Sequence, residues 1–183
     1  MLWLLQAVWL VCCVAIGCFG YGADSDTWLT AHTALKLWKT GTYIPSRGIG
    51  NPLFEWLWSP LIIAGGNHLA NFFVALSGLL LWKGLLRVAN AMQCKYTVEG
   101  VSLIMFTPLF LCNSASTIDY IPALAAWVWA INYKNKPFIL YTLLLIMVGF
   151  RPSWVLLYWL TPLIASGLKL KWYATAALLP VIL

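Results

Sequence analysis

The sequence predicts an all-α, polytopic transmembrane bundle of about six or seven spans, with an amphipathic juxtamembrane helix in its first outward loop. Three observations predict it. Hydrophobic residues make up 62% of the 183 and charged residues 9%, against roughly 25% charged in an ordinary soluble domain. The mean hydropathy is +0.85, more apolar surface than a soluble core could absorb. Finally, the basic residues gather at every second connection between apolar runs: Lys83, Arg87 and Lys95, then Lys134 and Lys136, then Lys169 and Lys171. By the positive-inside rule those connections are cytoplasmic.

The first run, Leu2 to Tyr21, is long enough to span and stops at Gly20-Tyr21-Gly22. It lacks the basic start of a signal peptide and more spans follow, so it reads as an uncleaved first helix with a cytoplasmic N-terminus. From Thr27 to Thr40, Trp28, Ala31, Leu35 and Trp38 recur at helical spacing beside His32, Lys36 and Lys39, the pattern of an interfacial helix closed by Gly41. Tyr43 to Pro52 is a turn-rich loop. Leu53 to Ala64, about 12 apolar residues with Glu55 and Pro60, is too short to cross. Since residues 22–68 must begin and end on the outer side, this segment dips in or lies flat.

Further spans are expected at Leu69 to Val88, Val98 to Cys112, Tyr120 to Tyr133, Phe138 to Phe150 and Trp154 to Gly167. A last run from Trp172 stops at Leu183 short of a full span, as expected of a fragment or a small partner within a larger assembly. The domain organisation is thus one membrane domain, 1–183, made of a first span (1–21), an extracytoplasmic loop (22–68) and the remaining spans (69–183). Its localisation is multi-pass, in a plasma or inner membrane, or the endoplasmic reticulum of a eukaryote.

Several function classes drop out. The net charge of +6 is scattered and forms no basic stripe with interleaved aromatics, so nucleic acid is not an expected partner. Cys12, Cys13, Cys18, Cys94 and Cys112 have no metal-ligand spacing. Phosphate-binding Gly-rich loops, dinucleotide fingerprints and nucleophile elbows are absent, as is an HExxH pair for His32 or His68. The twelve tryptophans suit anchoring at headgroup level.

What remains is a set of ionisable residues on the outward side: Asp24, Asp26, His32, Lys36, Lys39, Arg47, Glu55, His68, Asp119 and Arg151. Such groups at the ends of apolar helices line hydrated cavities or pathways, because burying them in hydrocarbon is costly. Each also has a plainer role. Asp26 before Thr27 suits a helix cap, or one of the two carboxylates, Asp24 or Asp26, serves as a general base toward an acceptor hydroxyl. Asp119 suits a cap or a pocket wall. Arg151, in the turn Gly149-Phe150-Arg151-Pro152-Ser153, either snorkels to headgroups or binds a phosphate through its guanidinium fork. Lys36 and Lys39 read as headgroup contacts, and Glu99 as a partner of Lys95.

The order of these features resembles the GT-C class of membrane glycosyltransferases, which includes protein O-mannosyltransferases and aminoarabinose transferases. The resemblance rests on Asp24-Ser25-Asp26-Thr27-Trp28 leading through an amphipathic helix to Gly41, on Asn51-Pro52-Leu53-Phe54-Glu55-Trp56-Leu57, on Thr107-Pro108-Leu109-Phe110 before Asp119, and on Phe150-Arg151-Pro152. It implies transfer of a sugar from a polyprenyl-phosphate donor to a glycan, lipid or protein acceptor on the extracytoplasmic side. Asp26 matches the acceptor-activating Asp and Asp24 its neighbour. Arg151 and Arg47 would hold the leaving phosphate, and Asp119, His32 and Glu55 complete the substrate-binding set. The resemblance fixes no cofactor. A divalent metal is the one candidate, although Thr27 stands where the class often has a second acid. The rival reading is a non-enzymatic membrane subunit or lipid-binding scaffold holding a polyprenyl lipid or a membrane-protein partner. A transporter ranks third, since no charge sits convincingly at mid-membrane.

Overall fold

The computed structural model describes residues 2–48 and 50–166, and every regular element among them is helical. The elements are α1 (Leu2–Gly17), α2 (Ser25–Thr40), α3 (Pro52–Ala91), α4 (Thr97–Met105), α5 (Pro108–Ser114), α6 (Tyr120–Asn132), α7 (Pro137–Phe150), a short 3-10 turn (Pro152–Trp154) and α8 (Val155–Ser166). The run expected from Trp172, with Lys169 and Lys171, lies outside the described residues. Among those described, α3 is the one helix long and apolar enough to cross a membrane, and α4 with α5 would supply a second if counted as one bent span. The other apolar helices, α1, α6 and α7, are shorter.

Two breaks have clear local causes. Within α3, Gly65 and Gly66 leave helical geometry, with Gly66 at φ 58° and ψ −145°, a conformation open to glycine and strained for any side chain. The chain doubles back there: Trp58 Nε1 donates to the Ala70 carbonyl at 3.2 Å, two positions that a straight helix would hold about 18 Å apart. Residues 52–64 therefore form a separate arm, as expected, and the long apolar run begins after Gly66. The second break was not expected. Val98 to Cys112 is two helices bent by 64°, because Pro108 has no N–H to continue the ladder and drives Thr107 into an extended conformation (φ −63°, ψ 146°).

Helix α2 forms where the periodicity places it, and it meets the rest of the protein through its small residues. Thr27, Thr30, Ala31, Thr33 and Ala34 are buried, and Ser59 Oγ donates to the Ala34 carbonyl at 3.4 Å. Trp28, Leu35 and Trp38 are exposed beside the lysines. Small side chains let α2 lie close against the 52–64 arm, and the large ones point away, where aromatic and basic residues suit a headgroup zone.

The body is packed through α1, α3 and α4. Trp9 is fully buried, meets Trp82 edge-on at 5.9 Å and donates from Nε1 to the Met105 carbonyl at 2.8 Å. A Cβ on Gly78 would fall 2.4 Å from the Trp9 ring, so this approach requires glycine. At one end, Asn71 Nδ2 donates to the carbonyls of Gly17 (2.9 Å) and Gly20 (2.7 Å), while its Oδ1 accepts from Thr117 Oγ1 at 2.6 Å. These bonds satisfy carbonyls left free at the end of α1 and fix the segment before Asp119. At the other end Asn132 Nδ2 donates to Gly84 O at 3.0 Å, and Arg87 lies over the Trp129 ring at 4.8 Å.

Replacing Gly66 by alanine forces a side chain into that strained conformation. Thermal unfolding of the purified protein in detergent is expected to show a loss of about 1–3 kcal/mol, whereas an unchanged midpoint would mean that the fold-back does not need this backbone geometry.

Candidate functional site

Four charged residues from four separate segments meet at the end of the bundle clamped by Asn71. Asp26 stands in the first turn of α2, Arg47 in the loop between α2 and α3, Asp119 immediately before α6, and Arg151 immediately after α7. Arg47 Nη1 lies 2.9 Å from Asp26 Oδ2, and its Nη2 lies 3.2 Å from Asp119 Oδ1. Arg151 Nη1 reaches Asp119 Oδ2 at 2.6 Å. The result is an alternating chain, Asp26, Arg47, Asp119, Arg151, with formal charge balanced. Asp119 has no exposed side-chain surface, whereas Asp26 keeps 28% of its own. Asp26 is thus the carboxylate of the pair that an incoming molecule can reach.

The local sequence explains each position. Asp24, in an extended conformation, caps α2 by accepting from the Asp26 N–H at 3.0 Å. The capping role weighed for Asp26 therefore belongs to Asp24, and Asp26 turns toward Arg47. Asp119 precedes α6 without a capping bond, because both of its oxygens are taken by guanidinium groups. The Arg151 guanidinium stacks on Tyr120, 3.6 Å from the ring centroid, with Trp154 at 5.8 Å. Such stacking suits a planar cation. The Nε atoms of Arg47 and Arg151 are buried and have no hydrogen-bond partner.

Glu55 lies one turn into α3 and is fully buried, but it does not join the cluster. Its Oε2 accepts from the Tyr43 hydroxyl at 2.5 Å. Its Oε1 accepts from the Ser46 N–H (3.3 Å), the Asn51 N–H (3.3 Å) and the Ser46 hydroxyl. Burial, then the hydrogen bond to Glu55 and its negative charge, push the Tyr43 hydroxyl above its ordinary pKa, so it remains a donor at neutral pH. Asn51 is buried and, with its amide turned so that the oxygen meets Arg47 Nη2 at 3.3 Å, donates to the Phe150 carbonyl at 3.3 Å.

Of the seven residues expected at the site, the structure brings together Asp26, Arg47, Asp119 and Arg151. Asp24 is the exposed cap beside them. Glu55 faces the loop. His32 is exposed and lines a shallow cleft with Leu35, Lys36, Lys39 and Thr40, with no ion pair or hydrogen bond to the cluster among the described residues. Tyr120, Asn51 and Tyr43 were not anticipated. Their only sequence signal was adjacency to charged or turn residues.

The described residues show no ready-made donor set for the candidate divalent metal. Among the described residues no three His, Cys, Asp or Glu side chains converge, and Arg47 stands between the two carboxylates that would have to share an ion. No known family, curated protein or solved structure matches the chain.

Removing the central carboxylate leaves two poorly hydrated guanidinium groups facing one partner. Asp119→Asn is expected to cost about 3–5 kcal/mol in denaturant unfolding, the usual penalty for breaking a buried pair from one side. Asp24→Ala should cost about 1 kcal/mol, as for a lost helix cap. Equal losses for the two would contradict the hierarchy drawn here.

Proposed function

We propose that this chain is a multi-pass membrane glycosyltransferase of GT-C type, moving a sugar from a polyprenyl-phosphate carrier to a glycan, lipid or protein acceptor on the extracytoplasmic side. The observation that carries the reading is the convergence of Asp26, Arg47, Asp119 and Arg151 from four segments onto one end of an apolar helical body. The basic residues Lys83 and Arg87 in the later part of α3, and Lys134 and Lys136 between α6 and α7, lie toward the opposite end. That sidedness supports a cytoplasmic N-terminus and an outward cluster.

In this reaction the half-exposed Asp26 takes the proton of the acceptor hydroxyl. The acceptor oxygen forms its bond to the sugar C1 as the bond from C1 to the phosphate oxygen breaks. The electron pair of the broken bond leaves with the polyprenyl phosphate. Arg151 and Arg47 stabilise that growing negative charge, and Asp119, touching both, keeps the two guanidinium groups oriented before donor arrives. The carrier lipid lies in the membrane beside the apolar helices, and bilayer lipids contact exposed Trp28, Trp38 and Trp56.

A second reading is a non-enzymatic membrane subunit or lipid-binding scaffold. What favours it is the balance of the cluster: two acids and two guanidinium groups pair off, with Asp119 wholly buried, as in a clamp that holds segments together. Purified Asp26→Asn protein, assayed with dolichyl- and undecaprenyl-type sugar donors, separates the two. Transfer is expected to fall about 100- to 10,000-fold, the range for loss of a general base. Undiminished transfer would remove Asp26 from the chemistry, and no transfer by the unaltered chain with any donor would leave the scaffold.

A further inference from the structure

We propose that Glu55 is the positioning residue for Arg47, acting through the loop that joins α2 to α3. The inference rests on the reading of Arg47 as a contact to the donor phosphate, but its geometry stands apart from it. Residues 42–48 and 50–51 form no regular element, so nothing in their own backbone pattern fixes where Arg47 points. Asp26 and Asp119 hold the guanidinium itself, while the loop backbone that delivers it is held by one further carboxylate. Glu55 ties the start of the loop through Tyr43, the middle through Ser46 and the end through Asn51. Gly50 sits at φ 72°, and a Cβ there would fall 2.7 Å from Pro45 and 2.9 Å from the Tyr43 hydroxyl, so the loop closes tightly on itself.

Glu55 differs from Asp119 in having no cationic partner among the described residues. A buried carboxylate without a counter-ion needs several donors to offset its lost hydration. The loop supplies four. Because these donors bracket Arg47 on both sides, the requirement of Glu55 for them becomes a constraint on the guanidinium that bridges Asp26 and Asp119. Glu55 touches no reacting atom in this scheme, and its effect on binding must pass through Arg47.

That dependence is measurable as non-additivity. With the full-length protein in nanodiscs and farnesyl phosphate as probe, Arg47→Ala and Glu55→Ala are each expected to weaken binding about tenfold or more, in line with lost hydrogen bonds to charged groups. The double variant should bind no worse than Arg47→Ala alone. Amide exchange across residues 42–51 should accelerate at least about tenfold in Glu55→Ala and less in Glu55→Gln, which keeps one acceptor oxygen. Losses that multiply in the double variant, or loop exchange that does not change, would overturn the assignment. If Glu55→Ala does not fold, Tyr43→Phe and Ser46→Ala each remove one donor and must give the same non-additivity with Arg47→Ala; multiplying losses there would overturn it equally. Should Arg47→Ala bind the probe normally, the phosphate reading of Arg47 fails by itself. The positioning role is then read from coupling between Glu55 and Arg47 in denaturant unfolding, where additive losses would refute it.

Discussion

The arrangement at the end of the bundle clamped by Asn71 depends on one buried carboxylate. Asp119 has no exposed surface and lies between guanidinium groups carried by a loop near residue 47 and by the end of α7. A lone ionised acid in such surroundings would be strongly destabilised. Its presence therefore constrains two distant segments to arrive with cations. Arg151 meets it from a turn that Pro152 helps to form, braced on Tyr120, the residue next to Asp119 itself. Arg47 meets it from a loop that Glu55 holds together. Asn71 and Thr117 fix the approach of the acid by tying the 115–118 turn to the end of α1.

The two buried acids manage their burial by different means, and the difference bears on function. Asp119 is balanced by opposite charge, which preserves cations near an accessible carboxylate, Asp26. Glu55 is balanced by neutral donors, which preserves a loop shape. Charge pairing leaves groups that can change partner when an anion arrives. Donor pairing builds scaffolding. The same division separates Asp24, occupied with the Asp26 backbone N–H, from Asp26, two residues on and turned to Arg47.

Much of this was legible in the sequence. Apolar runs located the helices, and the Gly65-Gly66 punctuation set the 52–64 arm apart from the long apolar run that follows. The sidedness of the charges put Asp26, Arg47, Asp119 and Arg151 in one set of ten, together with Asp24, His32, Lys36, Lys39, Glu55 and His68, which do not join their cluster. What was not legible is what depends on tertiary contact. No local pattern shows that Asp24 and not Asp26 caps α2, since both precede helical residues. Nor does the apolar periodicity of α2 show which side meets the protein, because the contact is made by small residues, Thr27, Thr30, Ala31 and Ala34, that carry no strong apolar signal. The bend at Pro108 was available from the proline rule and was overridden by the apolar run. Glu55 looked like a site acid, because its partners are backbone and hydroxyl groups whose convergence has no sequence signature.

The central claim is that a helical membrane bundle presents this cluster on its non-cytoplasmic side. Gly48 and Asn135, both exposed, mark the two ends. In a background with the five native cysteines replaced by serine or alanine, Gly48→Cys should react with a membrane-impermeant maleimide added to intact cells, and Asn135→Cys only after permeabilisation. Labelling of Asn135→Cys from outside with Gly48→Cys protected, or equal labelling of both without permeabilisation, would contradict it.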